Sequence, residues 1–347
     1  MPAPLIFSRA KVAATISLSL APVLAPSTAV AEKYKMQWQK AGVFCESMDV
    51  SKDGREIAFA FVPKASDHRF GVQVLDAATG VTKEEYFQTP RTSYSRSIFS
   101  YDGKLIAAGN GPRIDIINRS RREIDQTVEL DDDQKTGLNS LSFSPDGERL
   151  AAAQPSGAVA TVWNIKTGAI VHKLRHRNPG DRNNVEYVEF SPNGKHIVTV
   201  GGQVDSDQKV RLWDAITGSM ISETSAPDGS LFRPRFNSDG TRLVVGGRGT
   251  VWTVAVPFAG WRLVMRHPTE KTNPTEVGIS SDSLRTLSMF QNATLMVNDI
   301  YSGKSFHSIK AYRKSSYKYS IGGNGEQIFT LGEDDVLKCA VKSWVRN

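Results

Sequence analysis

A short phrase recurs along the chain: an apolar residue, two or three small or polar residues, and then Asp-Gly or a relative of that pair. The seven copies begin, in order, at Val50, Phe99, Phe143, Phe190, Phe236, Ile279 and Ile321. Successive copies therefore start 49, 44, 47, 46, 43 and 42 residues apart. Because Asp-Gly and Asn-Gly favour tight turns, each phrase is predicted to join two strands.

Repeat three shows the expected strand pattern most clearly. Its apolar stretches lie at 138–143, 149–153, 158–165 and 169–174. The phrase, a Pro-Ser-Gly segment and a Lys-Thr-Gly segment separate them, so the repeat reads as a four-stranded antiparallel meander. A period of about 40 to 50 residues filled with short strands predicts a β-propeller, with one four-stranded sheet, or blade, per repeat.

Two repeats also carry a recognisable ending. Repeat four contains Val-Arg-Leu-Trp-Asp-Ala-Ile-Thr-Gly at 210–218, and repeat three contains Val-Trp-Asn-Ile-Lys-Thr-Gly at 162–168. Repeats one and six keep the ending without the Trp. These segments resemble the third strand and exit turn of the WD-repeat family, over about residues 37–343. The resemblance implies a propeller that binds protein partners, and the chain looks like a divergent, bacterial-type member.

One family feature is missing from the sequence. No repeat has the Gly-His pair that usually precedes the first strand of a WD repeat. The His-Asp-Ser/Thr-Trp hydrogen-bond network of the family is therefore expected to be incomplete, with Trp213 and Thr199 keeping a part of it.

The two ends of the repeat region are expected to meet. Repeat seven supplies three strands, and the segment 35–40, which precedes repeat one, can supply the fourth. This pairing would remove open sheet edges. The predicted fold class is all-β, a seven-bladed β-propeller closed by pairing of the N-terminal strand with the last blade.

The first 31 residues differ from the rest of the chain. They contain no Asp or Glu, and Arg9 and Lys11 precede an apolar run at 12–24 and the small-residue segment 29–31. This pattern predicts a signal peptide cleaved after Ala31, and hence export to the periplasm or the medium. An organelle transit peptide and an N-terminal arm of an intracellular scaffold are the alternatives. Residues 32–347 are predicted to form one propeller without a membrane span.

Composition narrows the classes of partner. The chain has 347 residues with 39% hydrophobic and 23% charged residues, which is ordinary for a soluble domain. Removal of residues 1–31 leaves 41 Lys and Arg against 36 Asp and Glu, a net charge of +5. This mild charge does not favour nucleic acid. The one dense basic run, at 119–122, is predicted to be a solvated hairpin tip, and the propeller is expected to be a monomer.

Motifs of the common enzyme classes are absent from the sequence. It contains no nucleophile elbow, phosphate loop, His-Glu-x-x-His or Cys-x-x-Cys. The six scattered histidines do not predict a metal site, and no cofactor is expected. The chain is predicted to be non-catalytic; the alternative is a periplasmic enzyme or enzyme subunit with a small-molecule or cofactor site in the central channel. Cys45 and Cys339 either form a disulfide or remain two buried thiols.

The predicted binding site is the channel mouth where the first strand of each repeat begins. Residues three or four positions before the phrase are expected to line it, and they mix aromatic side chains with Arg and Lys. Such a mixture is typical of interaction hot spots and would suit a protein or peptide, an acidic one in particular. The predicted binding residues are Tyr94, Arg96, Tyr187, Phe232, Arg233, Arg235, Tyr317 and Lys318. The alternative is that the basic residues only pair with Glu46, Glu186 and Glu276 around the ring.

Overall fold

The structure is a computed structural model. It describes residues 32–41, 45–61, 70–88, 94–130, 138–153, 158–176, 184–201, 209–225, 232–266, 273–280, 283–292, 294–310, 316–321, 327–332 and 336–344. Within these ranges every regular element is a β-strand, and there is no helix long and apolar enough to cross a bilayer. The predicted signal peptide, residues 1–31, lies outside them.

The strands form four-stranded antiparallel sheets, which we number in chain order. Strand β1 is Glu32–Ala41. Sheet 1 contains β2 (Cys45–Val50), β3 (Glu56–Phe61), β4 (Phe70–Asp76) and β5 (Thr82–Gln88). Sheet 2 contains β6 (Arg96–Phe99), β7 (Leu105–Asn110), β8 (Arg113–Asn118) and β9 (Glu123–Glu129). Sheet 3 contains β10 (Ser140–Phe143), β11 (Arg149–Ala153), β12 (Val159–Asn164) and β13 (Ile170–Arg175).

The same arrangement continues along the chain. Sheet 4 contains β14 (Val185–Phe190), β15 (His196–Gly201), β16 (Lys209–Asp214) and β17 (Met220–Ser225). Sheet 5 contains β18 (Phe232–Phe236), β19 (Arg242–Gly246), β20 (Thr250–Ala255) and β21 (Ala259–Arg266). Sheet 6 contains β22 (Pro274–Ile279), β23 (Arg285–Phe290), β24 (Thr294–Asp299) and β25 (Ser305–Lys310). Sheet 7 contains β26 (Ser316–Ile321), β27 (Gln327–Gly332), β28 (Val336–Trp344) and β1.

The repeated phrase builds the turn between the first and second strand of a sheet. In sheet 1 the Ser51 hydroxyl accepts the Glu56 N–H at 2.9 Å and donates to Asp53 at 2.7 Å. Gly54 has a φ of +75°, a conformation that suits glycine. The sixth copy has Ser283 at the glycine position, and it adopts a φ of +58°. The turn therefore forms there as well, with some backbone strain.

Apolar clusters fill the spaces between neighbouring sheets. Clusters of buried side chains join sheets 1 and 2, 2 and 3, 3 and 4, 4 and 5, and 5 and 6. Phe329 of sheet 7 packs with Ile57 and Phe59 of sheet 1. Each first strand from β2 to β22 also contacts the first strand of the next sheet, and β26 contacts both β22 and β2.

Strand β1 contacts the sheets at both ends of the repeat region. It pairs antiparallel with β28 from Glu32 opposite Trp344 to Ala41 opposite Val336. The Trp38 indole N–H donates to the carbonyl of Ala77 in sheet 1 at 2.9 Å. The segment 35–40, predicted to be the outer strand of the last sheet, lies within β1.

The basic run at 119–122 matches its prediction only in part. The Arg119 side chain is 12% exposed and forms ion pairs with Glu56 and Glu84 of sheet 1, each at 2.7 Å. Arg121, in contrast, is exposed and pairs with Glu123 at 2.8 Å. The prediction of a solvated tip is wrong for Arg119, because sheet 1 supplies two carboxylates that the local sequence does not reveal.

Candidate functional site

The first strands are tied to one another by side chains. The Ser47 hydroxyl accepts the Ser97 N–H at 2.7 Å, and the Asp49 carboxylate accepts the Phe99 N–H at 2.9 Å. Serine side chains link β10 to β14 in the same way. These bonds satisfy N–H groups on the strand edge that has no further strand beside it. The first strands therefore lie side by side in a fixed arrangement, which we call the wall. The surface at the end where these strands begin is the start face, and the surface at the end where the phrases lie is the turn face.

A chain of polar contacts crosses three sheets at the start face. The Arg96 guanidinium donates to the carbonyl of Asn139 at 2.9 Å, and the Asn139 amide donates to Glu186 at 2.8 Å. Burial raises the pKa of the Glu186 carboxyl, and the charge of Arg96 opposes that shift. Arg96 and Glu186 thus act on each other within the chain, as in the alternative of pairing around the ring.

A second contact at the start face joins β14 and β18. The guanidinium carbon of Arg233 lies 6.0 Å from the ring centroid of Tyr187, within range of a cation–π interaction. The register of β18 is irregular between Phe232 and Arg235. This irregularity, with a φ of +21° at Arg233, sets the direction of that side chain. Arg96, Tyr187 and Arg233 thus all lie near the starts of their first strands, and their role in binding stays a prediction.

Tyr94 is not an exposed aromatic residue, and this part of the site prediction is wrong. Its side chain is 4% exposed, and its hydroxyl donates to Asp115 at 2.8 Å. Asp115 is fully buried and also accepts hydrogen bonds from Arg113 and Thr127. Tyr94 points into sheet 2 because that sheet holds a buried carboxylate.

Arg235 lies toward the turn face, away from the predicted set. It directly precedes the phrase residue Phe236, and its guanidinium contacts the Glu189 carboxylate at 3.3 Å. Among the other predicted residues, Phe232 lies in β18, and Tyr317 and Lys318 lie in β26; the side chains of these three are outside the described part of the chain.

The turn face contains a cavity of about 250 Å³ that the sequence did not predict. Among the described residues, six first strands and their turns line it, and the charged residues are Asp49, Lys52, Glu189 and Arg235. Burial raises the pKa of the Glu189 carboxyl, and the charge of Arg235 opposes that shift. The sequence contains a signal for these positions: three of the four residues stand directly before a phrase, where strand alternation places them on equivalent sides of their strands, and Lys52 lies within a phrase.

Tyr101 and Lys52 are neighbours in the lining of this cavity. The Lys52 ammonium is 5.0 Å from the centroid of the Tyr101 ring. Burial raises the pKa of the Tyr101 phenol, and the neighbouring carboxylate of Glu189 raises it further. The phenol therefore stays protonated at neutral pH and can donate a hydrogen bond.

Sheet 4 holds a larger part of the family hydrogen-bond network than predicted. The Trp213 indole N–H donates to the Thr199 hydroxyl at 2.7 Å, and His176 Nε2 shares a 2.6 Å hydrogen bond with the same hydroxyl. All three residues are buried. His176 thus takes the histidine role although no Gly-His pair is present, and the network in this sheet includes one residue more than the predicted Trp213 and Thr199.

The strand register bears on the two cysteines, whose side chains lie outside the described part of the chain. Cys339 is opposite Phe329, which is opposite Ser320, the residue before the seventh phrase. Cys45 lies four residues before the equivalent Asp49, or about 13 Å along the strand. A disulfide needs Cα atoms within about 7 Å, so the register favours separate thiols. We expect a thiol titration of the denatured, unreduced protein to count two thiols per chain; none would indicate the disulfide.

The described residues contain no group of three or more His, Cys, Asp or Glu side chains that could hold a metal ion. The charged groups around the first strands can instead form ion pairs and hydrogen bonds with a bound molecule.

Comparisons with known proteins point to one family. The family profile described as WD domain, G-beta repeat matches residues 171–214, which include the three network residues of sheet 4. An uncharacterized WD repeat-containing protein of Synechocystis is 28% identical over 152 residues, 43% of this chain and 39% of that protein. A WD repeat-containing protein of Schistosoma mansoni is 22% identical over 189 residues, 54% of this chain and 56% of that protein.

A third relative matches a shorter stretch. WD repeat-containing protein 1 of the mouse is 29% identical over 90 residues, 26% of this chain and 14% of that protein. The chain thus spans well under two thirds of the length of each of these curated relatives. Together, the profile match, these relatives and the repeated four-stranded sheets support membership of the WD-repeat family.

Proposed function

We propose that this protein is an exported, non-catalytic interaction platform: a closed seven-bladed propeller that binds a protein partner on its start face. WD repeats generally mediate protein–protein interaction, and one such repeat matches residues 171–214 of this chain. Closure is supported by the contacts of β26 with β2 and by the position of β1 between β28 and sheet 1.

The observation that carries the proposal is the wall of first strands. Side-chain hydrogen bonds, such as the one that the Phe99 N–H donates to the Asp49 carboxylate, hold neighbouring sheets in a fixed relation. A surface that is already ordered binds a partner without the entropic cost of ordering itself. The start face of such a wall presents side chains from several sheets in a constant arrangement.

The chemistry of the start face favours an acidic partner segment. Arg233 lies against the Tyr187 ring, and both side chains are partly exposed. Arginine and tyrosine are enriched among residues that dominate binding energy. Arg96 is linked to Glu186 through Asn139, so we assign it a supporting role and Arg233 the direct one.

The experiment is affinity capture from a native extract of the source organism with purified wild-type and variant protein. Arg233→Glu should lower the yield of a specifically retained partner by about tenfold or more, because it reverses a charge at a hot spot. Arg55→Glu is the matched control, since this side chain is 84% exposed on the turn face and makes the same change of charge. Equal capture by wild type and both variants would rule out the start face.

Export and a monomeric state belong to the same proposal and have separate tests. Residues 1–31 have the pattern of a signal peptide, so the mature protein should begin at Glu32 on N-terminal sequencing. A mature protein that still begins with Met1 would reject cleavage. Light scattering should give the mass of one chain.

A further inference from the structure

The turn-face cavity is large enough for a ligand and is separate from the start face. Its volume of about 250 Å³ equals roughly eight water molecules at about 30 Å³ each. It can therefore accept a small molecule or one side chain of a partner. The inference that follows does not depend on the proposed function of the start face.

The carboxylates of the cavity are already engaged by the protein. The Asp49 carboxylate accepts the Phe99 N–H at 2.9 Å. The Glu189 carboxylate contacts the Arg235 guanidinium at 3.3 Å and the Phe236 N–H at 3.5 Å. A ligand that approaches the cavity consequently meets acceptors that are at least partly satisfied.

The donors are more open to solvent than these acceptors. The Arg235 side chain is 41% exposed, against 18% for Glu189, and Lys52 is exposed. Tyr101, whose ring lies 5.0 Å from the Lys52 ammonium, adds a third donor to the lining of the same cavity. An ammonium, a guanidinium and a phenol in one cavity lining can satisfy the oxygens of a carboxylate.

The wall also leaves space beside the guanidinium. Gly278 stands directly before the sixth phrase, the position that Arg235 occupies before the fifth, and it has no side chain to fill the cavity. From this arrangement the geometry points to a carboxylate-binding site at the turn face, formed by Lys52, Tyr101 and Arg235. The carboxylate comes either from a small free acid or from an acidic side chain of a protein.

The test is a titration of protein labelled with ¹³C at the isoleucine methyl groups, because Ile98 and Ile279 line the cavity and report binding there. One arm uses succinate as the free acid. The other uses the peptide acetyl-Ala-Glu-Ala-amide, with acetyl-Ala-Gln-Ala-amide as its uncharged control. Shifts of the Ile98 and Ile279 signals with succinate alone indicate a free acid, and shifts with the Glu peptide alone indicate a protein segment; either result supports the site.

Variants of the lining residues test whether the cavity binds a carboxylate. Arg235→Gln should weaken binding about tenfold or more, since hydrogen bonds to charged groups are among the strongest in proteins. Lys52→Gln should weaken it several-fold, and as an exposed residue it does not endanger folding. Glu189→Gln should tighten binding several-fold, because it removes the carboxylate that competes for Arg235. Lys104→Gln is the control, since its side chain is 80% exposed and pairs with Asp102 in the second phrase.

Three results would overturn the proposal. These are the absence of shifts in both arms at millimolar concentration, equal affinity in Arg235→Gln, Lys52→Gln and wild type, and weaker binding in Glu189→Gln. The last would mean that Glu189 contributes to binding instead of competing with the ligand for Arg235.

Discussion

In sheets 2 and 4, the third and fourth strands carry different polar side chains at equivalent positions. In sheet 2 the third strand presents Asp115 opposite Thr127 of the fourth strand. In sheet 4 the third strand presents Arg211 opposite Glu223 at the equivalent place. One sheet thus has a carboxylate where the other has a guanidinium, and the strand order is the same.

The anchoring group also lies on a different strand. Sheet 2 collects its polar contacts on buried Asp115, which accepts from Tyr94, whereas the second strand has only Ala108 there. Sheet 4 uses the second-strand hydroxyl of Thr199 to hold His176 and Trp213. The comparison teaches that the same strand pairing accepts buried polar clusters of different charge.

The largest expected effect is in sheet 2. Asp115→Ala should lower the free energy of unfolding by about 3 kcal/mol, because the Tyr94 and Thr127 hydroxyls lose their acceptor inside the protein. Urea denaturation measures it. Asp125→Ala, a change of the same type at a carboxylate that pairs with the exposed Arg121, should cost well under half as much. Equal effects would show that the buried cluster contributes little.

The corresponding change in sheet 4 should be smaller. Thr199→Val keeps the side-chain shape but leaves the Trp213 indole and His176 without their shared partner, at a cost of about 2 kcal/mol. Combined with Trp213→Phe, it should cost less than the sum of the two single changes. Additive values in a double-mutant cycle would contradict the shared network.

Acid should affect sheets 1 and 2 before sheet 4. Burial alone would raise the pKa values of Glu56 and Glu84, but hydrogen bonds and the charge of Arg119 hold both pKa values below their ordinary level. Their stabilisation is therefore present above the unfolded pKa of about 4.3 and is lost as the pH falls below it. In sheet 4, Glu223 pairs with Arg211 but is 33% exposed, so solvent screens it more.

Hydrogen exchange measured by mass spectrometry at decreasing pH should show this order. Peptides from β3, β5 and β8 should lose protection at a higher pH than peptides from β15 and β16. Arg119→Gln should weaken the contrast between the sheets, because it removes the shared partner of both carboxylates. Simultaneous loss in all sheets, in wild type and variant alike, would mean that acid unfolds the protein as one unit.

The smallest effect concerns the turns. Sheet 4 has Asn193 in its phrase, and the side-chain amide donates to the carbonyl of Asp239 in the next turn at 2.9 Å. Asn193→Asp should cost about 0.5 to 1 kcal/mol, since a carboxylate keeps the contacts within the turn but cannot donate to that carbonyl. The reverse change in sheet 2, Asp102→Asn, should be nearly neutral. If both changes are neutral, the turns do not contribute to the difference between sheets 2 and 4.

Much of the fold could be predicted because turn chemistry is local. The Ser51 and Asp53 side chains form the first turn with their own neighbours, so the phrase is readable without knowledge of the rest of the chain. The site was only partly predictable. Tyr94 and Arg235 stand within two residues of predicted wall positions, but one side chain turns inward to Asp115 and the other lies toward the opposite face beside Glu189.

The sequence by itself determined where the turns lie, how the strands follow one another and which residues each repeat contributes. These properties depend on glycine at positive φ, on short polar side chains and on strand alternation, all of which act over a few residues. Only the tertiary structure decided which side chains from different repeats meet. Arg119 with Glu84, and Tyr101 near Glu189, come together because sheets pack side by side, and that packing brings together residues about 35 to 90 positions apart.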